Sequence, residues 1–119
     1  METTWQRPGT MRPRHEIDRR ADRDAIAASM TAYGWRGEPI VIDDRAFGGD
    51  GGYLITGHHR VAAALAVGLA SVPCITLADL CEAAGIDLDA YCDGSYDSEW
   101  EPVLAELPAE VRARYGIQF

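Results

Sequence analysis

Apolar residues in this chain fall into short runs punctuated by glycines, and the spacing inside each run predicts the element it forms. Ile26, Met30 and Tyr33 recur at helical spacing behind Asp22 or Asp24, either of which can cap a helix, and Gly34 ends the run as a C-terminal glycine does. Trp35 then packs over that end or lines a cleft. Pro39-Ile40-Val41-Ile42 is a compact β-branched run and reads as a buried strand. Asp43 to Gly52 carries four glycines and reads as a turn-rich loop. Tyr53-Leu54-Ile55-Thr56 is a second strand, and an Ala-rich helix follows from about His59 to Leu69, with Gly68 near its end. Val72-Pro73-Cys74-Ile75-Thr76-Leu77 is a third strand, its proline at the start where a missing amide costs least.

Beyond residue 77 the pattern turns helical. Leu80, Ala83 and Ala84 suit a short helix closed by Gly85, and Leu88 to Tyr91 suits one more turn. Val103, Leu107 and Val111 predict a last helix that Pro108 either starts or breaks. Residues 1–14, with Pro8, Gly9, Pro13 and scattered arginines, show no periodicity and predict a flexible or extended arm. The sum is an α/β (α+β) chain of one domain: a basic arm over 1–14, a core with a small mixed sheet flanked by helices over 15–77, and an acidic helical extension over 78–119 packed on that core.

Composition agrees with one domain. At 119 residues the chain can bury a single core, and 47% hydrophobic with 25% charged residues are ordinary globular values. No apolar run approaches the roughly 20 residues that span a bilayer, and the first residues lack a signal-peptide layout, so a cytoplasmic protein without membrane contact is expected. Cys74, Cys81 and Cys92 are odd in number and have no CxxC spacing, which suits reduced thiols better than disulfides or zinc. Cys74 sits in an apolar run and reads as core.

Charge changes the picture more. The net charge is −8; six of the eleven basic residues precede residue 24, and residues 78–110 hold ten acids and no base. Such a surface repels a phosphate backbone, so DNA binding is expected to be weak or absent and confined to the arm. The acidic third either docks on a basic partner, covers the arm, or is a solvated helical face that completes the core. Lysine is absent, which excludes a P-loop.

Candidate chemistry concentrates in Gly57-His58-His59-Arg60, between a strand and a helix. Glycine permits a tight turn and close approach of a ligand. The following amides form a helix N-terminus that favours an anion, and Arg60 offers a donor fork matched to phosphate oxygens. The bland alternative is that His58 and His59 only cap the helix. Adjacent histidines cannot readily share one ion, so no metal site is assigned there.

The order helix, strand, glycine loop, strand, Gly-x-x-Arg, helix, Gly-Leu-x-x-Val-Pro, strand resembles the ParB/sulfiredoxin superfamily. Three pieces carry the likeness over roughly residues 12–77: Arg14-His15-Glu16 ahead of the first helix and Pro39-Ile40-Val41, Gly57-His58-His59-Arg60 with its helix, and Gly68-Leu69-Ala70-Ser71-Val72-Pro73. ParB-type partition proteins read Gly-Glu-Arg-Arg-x-Arg-Ala at the second piece, where they hold cytidine triphosphate and its metal; here only Gly57, Arg60 and Ala63 agree. Sulfiredoxins read Gly-Cys-His-Arg, and His58 replaces that cysteine, which removes a thiol mechanism. The likeness is greatest to small ParB-like proteins with Gly-x-His-Arg, including free serine kinases.

The resemblance implies a nucleotide (ATP, ADP or CTP) or small phosphorylated ligand bound through Gly57, His58, His59 and Arg60. If phosphate is transferred or a nucleotide hydrolysed, Glu16 would be the base on a substrate hydroxyl and His58 a second catalytic candidate; the alternative for Glu16 is a loop carboxylate paired with Arg14 or Arg19. Mg2+ could accompany the nucleotide, with Asp43, Asp44 and Asp50 as nearby oxygen ligands or plain turn residues. Two alternatives stand beside this one. The first is a phage- or plasmid-type ParB-like nuclease or DNA-associated accessory protein. The second is a non-enzymatic module acting through its acidic third.

Overall fold

A computed structural model describes residues 3–12, 20–45, 51–91 and 96–117. Its sheet has five strands: β1 Thr4–Gln6, β2 Met11–Arg12, β3 Ile40–Asp43, β4 Gly52–Leu54 and β5 Val72–Thr76. They lie in the order β1-β5-β3-β4-β2. The β1–β5 and β3–β4 pairs are antiparallel, and β3–β5 and β2–β4 are parallel. The helices are α1 Arg20–Tyr33, α2 His58–Val67, α3 Leu77–Ala84, α4 Tyr96–Glu106 and α5 Ala109–Tyr115.

The β-branched run of β3 forms the middle strand because both of its faces can be covered. Ile40 and Ile42 join Val72, Cys74, Met30, Val61, Ala63 and Ala64 on the α1/α2 side. Val41 and Ile75 join Leu80, Trp100, Val103, Leu104 and Leu107 on the side of α3, α4 and α5. Alternation along two neighbouring strands thus feeds two separate cores. The acidic C-terminal third supplies a whole layer: its apolar face is buried, while Glu82, Asp87, Glu106 and Glu110 stay exposed. Among the described residues no helix is long and apolar enough to cross a membrane.

Several expectations need correction. Part of the 1–14 stretch is not a free arm: β1 registers Thr4 on Cys74, β2 registers Met11 on Gly52, and Met11 is buried. A 3-10 turn at Pro8–Thr10 joins these opposite edges, and the Gln6 side chain accepts from the Gly51 amide at 2.7 Å. Helix α1 begins at Arg20, ahead of either aspartate expected to cap it, and Tyr33 is 71% exposed rather than part of the buried stripe. Thr76 ends β5 and caps α3, its hydroxyl accepting from the Asp79 amide at 3.1 Å, so Leu77 is helical rather than the last strand residue. The last apolar stripe is split between two helices: α4 holds Pro102 in its interior, and Pro108 is the N-cap of α5.

The end of β3 ties the two halves together. Asp43, expected in a turn, is a strand residue with 1% exposure. Its carboxylate accepts from Trp100 Nε1 at 2.9 Å and from Arg45 Nε and Nη2 at 2.8 and 2.6 Å. Burial pushes this carboxyl up, but the hydrogen bonds from Arg45 and Trp100 and the Arg45 charge outweigh it and hold it below the usual aspartate range. Tyr53 packs a tilted ring against Trp100 with centroids 5.7 Å apart.

Replacing Trp100 by Phe keeps a ring there but removes one donor from a buried carboxylate. Urea unfolding should show a loss of about 1–3 kcal/mol at pH 7. A folded-state pKa below the unfolded one stabilises above the unfolded value, and that contribution is lost as pH falls through the folded value. The wild-type advantage over Trp100→Phe should therefore shrink on acidification below the ordinary aspartate range.

Candidate functional site

The loop that opens α2 is knitted onto β3 before its polar residues begin. After β4 the amides of Ile55 and Thr56 both donate to the Val41 carbonyl, at 2.9 and 3.2 Å, and the Thr56 hydroxyl accepts from the Val41 amide at 3.0 Å. Gly57 follows at φ +80°, a left-handed backbone that disfavours any side chain. A Cβ there would overlap Ile40 Cγ2. Gly57 provides no side-chain cap, and its carbonyl accepts from the Val61 amide at 2.9 Å to close the first turn.

The three polar residues that follow occupy different environments. His58 is nine-tenths buried. His59 is half-buried, and its Nδ1 is buried without a hydrogen-bond partner among the described residues. Arg60 is half-buried and folded across the loop. Its Nη1 donates to the Glu38 carbonyl at 2.7 Å, and its guanidinium lies over the Trp35 ring, 4.8 Å from the centroid. A Cβ on Gly37 would stand 3.7 Å from Nη1, and one on Gly57 3.6 Å from Nη2, so the fork lies between two glycines. Burial pulls the Arg60 pKa below its ordinary value, with the Glu38 charge opposing; a guanidinium stays charged regardless.

Arg60 also walls a recess of about 210 Å³ with Ile26, Ser29, Met30, Gly34 and Arg36. Arg36 lies over the Tyr33 ring at 5.1 Å. The recess therefore has an apolar floor from α1 and two guanidinium edges. A second hollow, about 350 Å³, lies beside Arg45, Glu82 and Asp87, and none of the Gly57–Arg60 residues lines it.

The structure thus brings Gly57, His59 and Arg60 together with Trp35, Gly37 and Glu38. Glu16, its neighbour His15, and Asp50 lie outside the described residues, as does Cys92. Asp43 is a correction as an oxygen ligand, because its carboxylate is engaged by Arg45 and Trp100. Asp44 is half-buried, and burial, together with Asp43 and Asp79, raises its pKa. No three His, Cys, Asp or Glu side chains among the described residues are grouped to hold a metal. Cys74 and Cys81 are buried free thiols, and burial pushes Cys74 up to about 12, which keeps it a protonated, poor nucleophile.

Glu38 is the residue that sequence reasoning missed. It acts through its backbone carbonyl, which no side-chain pattern reveals. Its carboxylate meets Arg114 Nε of α5 at 3.2 Å. Trp35 was visible only as an aromatic just past a helix-ending glycine.

No protein-family model matches the sequence, and no curated protein matches it. Solved structures share its fold. A free serine kinase in complex with AMP matches with a TM-score of 0.54 at 23% identity, covering 63% of this chain and 30% of the kinase, so the chain spans less than a third of that protein. Sulfiredoxin from Arabidopsis thaliana matches with a TM-score of 0.50 at 18% identity, covering 64% of this chain and 84% of its own. The C-terminally truncated partitioning protein ParB from Caulobacter crescentus, complexed with CTP-gamma-S, matches with a TM-score of 0.55 at 14% identity, covering 98% of this chain and 85% of its own. The chain has the ParB/sulfiredoxin fold.

Two glycines in the same left-handed conformation separate backbone cost from crowding. Gly68, at φ +76°, has nothing within 4 Å of an added Cβ, whereas Gly57 has Ile40. Gly68→Ala should cost about 1–2 kcal/mol for the backbone alone. Gly57→Ala should cost about 2–4 kcal/mol, because the crowding against Ile40 adds to that term. Chemical denaturation of the two variants gives the difference directly.

Proposed function

We propose that this chain binds a nucleotide, or another phosphate ligand, at Gly57–Arg60. The observation that carries the reading is the state of Arg60. Its guanidinium is held at one corner by the Glu38 carbonyl and on one face by Trp35, while Nε and Nη2 have no hydrogen-bond partner among the described residues. Those donors lie beside a left-handed glycine at the uncapped start of α2. A fixed guanidinium next to a helix N-terminus suits an anionic oxygen. Support also comes from structures of the same fold that hold AMP, ADP and CTP-gamma-S.

On this reading the phosphates meet Gly57, His59 and Arg60, and the adjoining recess receives the rest of the ligand over Ile26 and Met30. His58, being nine-tenths buried, would serve by fixing the loop or by passing a proton at its edge. Transfer of the phosphoryl group to a hydroxyl would further need a group to orient the nucleophile, and Glu16 is the candidate. Asp43 is engaged by Arg45 and Trp100 and so is a poor Mg2+ ligand; an ion accompanying the nucleotide would be held mainly by its phosphates, with one or two carboxylates.

A thermal-shift panel of AMP, ADP, ATP and CTP tests binding. A ligand at a hundred times its Kd should add about 2.7 kcal/mol of stability, with a midpoint that rises with concentration. Arg60→Gln should then weaken the best nucleotide about 10- to 100-fold, the loss of charge-assisted hydrogen bonds. The variant also loses its bond to Glu38, so its unfolding midpoint is measured in parallel. Unchanged affinity in the folded variant would remove Arg60 from the site.

Catalysis is tested by Glu16→Gln, which preserves shape and removes the base. Single-turnover transfer from ATP or ADP to hydroxyl amino acids and nucleosides should be lost while nucleotide affinity is kept. No transfer by the wild type to any acceptor, alongside firm nucleotide binding, would sink the kinase reading and leave a binding module or the nuclease.

A further inference from the structure

Trp35 is the group around Arg60 whose chemistry the anion site alone does not explain. It follows Gly34, which ends α1 at φ +72°, and it packs half-buried against the α1/α2 core. Its indole Nε1 is buried and has no hydrogen-bond partner among the described residues. A phenylalanine would fill much of the same space without that orphaned donor, so the indole N–H is not what the fold needs at this position. What the ring does is lie beneath the Arg60 guanidinium at 4.8 Å.

Two contacts hold that guanidinium, and two glycines leave room beside it. The Trp35 ring is on one face, the Glu38 carbonyl holds Nη1 at 2.7 Å, and Gly37 and Gly57 flank Nη1 and Nη2. An arginine at a helix start ordinarily samples many rotamers and loses that freedom when an anion arrives. Here one hydrogen bond fixes a corner but leaves the plane free to swing about it. A ring face fixes the plane, and burial strengthens the attraction between ring and cation. We propose that Trp35 is a positioning residue for Arg60: its ring holds the guanidinium plane so that Nε and Nη2 are presented to an anion before one binds. The proposal rests on the phosphate-site reading for its ligand, while the ordering of Arg60 can be measured without any ligand.

The test uses the full chain with Trp35→Phe, Trp35→Leu, Arg60→Gln and the Trp35→Leu/Arg60→Gln double variant, with ADP as the probe. Phenylalanine keeps a ring face and should hold ADP affinity within about threefold of wild type, whereas leucine should weaken it about tenfold, the scale of a lost cation–π platform. In the Arg60→Gln background the leucine change should have no further effect, since a residue acting through Arg60 has nothing left to act on. A full additional loss there would mean that Trp35 touches the ligand or only supports the fold, and would overturn the proposal. Equal losses for Phe and Leu would overturn it as well.

The ligand-free arm is the side-chain Nε–Hε relaxation of Arg60 by NMR. It should report an ordered group in wild type and Trp35→Phe and a mobile one in Trp35→Leu. An Arg60 group equally ordered in all three overturns the proposal. Absence of binding by AMP, ADP, ATP and CTP alike in wild type would refute the nucleotide reading, and the relaxation data would still decide whether Trp35 orders Arg60.

Discussion

Strand β3 lies in the middle of the sheet with Ile40, Val41, Ile42 and Asp43 all buried, and a strand covered on both faces needs two separate layers. Helices α1 and α2 provide one of them. The other comes from the acidic C-terminal third, whose Trp100, Val103, Leu104 and Leu107 are almost wholly buried. This demand also explains the charge asymmetry in structural terms. A segment with ten acids and no base between residues 78 and 110 can still be core-forming, because its apolar residues are buried together while Glu82, Asp87, Glu106 and Glu110 stay exposed. Whatever else the acidic surface does, its helices complete the fold.

The same strand sets both polar features of the molecule. At its C-terminal end Asp43 buries a carboxylate among three side-chain hydrogen bonds, two from Arg45 and one from Trp100. An uncompensated charge in that position would be prohibitive, and the bidentate Arg45 fork is what makes it tolerable. At its N-terminal end Ile40 stands directly behind Gly57, so the backbone of the α2 loop can approach the sheet only because no side chain intervenes. One strand thus anchors the C-terminal layer at one end and shapes the candidate anion loop at the other.

How much of this was legible in the sequence follows from the distance over which each feature is determined. Strands β3 and β5 and helix α2 were readable to within a residue or two, because β-branched runs and an Ala-rich segment bounded by Gly57 and Gly68 are local signals. The fold followed from the order of those elements and from the Gly57–Arg60 motif. Strands β1 and β2 were not readable: three and two residues show no period, and they exist by pairing with Cys74 and Gly52 far along the chain. Asp43 looked like a turn residue because its decisive partner, Trp100, is 57 positions away. The Gly57, His59 and Arg60 cluster was visible as a motif, but its support was not. The Glu38 carbonyl is backbone, and the Trp35 platform depends on how the α1–β3 connection folds back.

That connection also meets α5, since the Glu38 carboxylate pairs with Arg114 while its carbonyl takes Arg60. Such an arrangement invites the idea that the C-terminal helix controls the site through Glu38, and magnitudes decide against it. The Arg114 and Glu38 side chains are 58% and 43% exposed, and exposed ion pairs contribute roughly 0–1 kcal/mol and weaken further in salt. The contacts holding the connection on its inner side are of another kind: a guanidinium half-removed from water, a hydrogen bond of 2.7 Å to a carbonyl, and a ring packed on the α1/α2 core. Hydrogen bonds from charged groups contribute about 1.5–3 kcal/mol and are less easily screened when buried. The geometry of Arg60 is therefore set from inside the α1/α2 layer, and the tie to α5 is a surface contact that the site can lose without losing its shape.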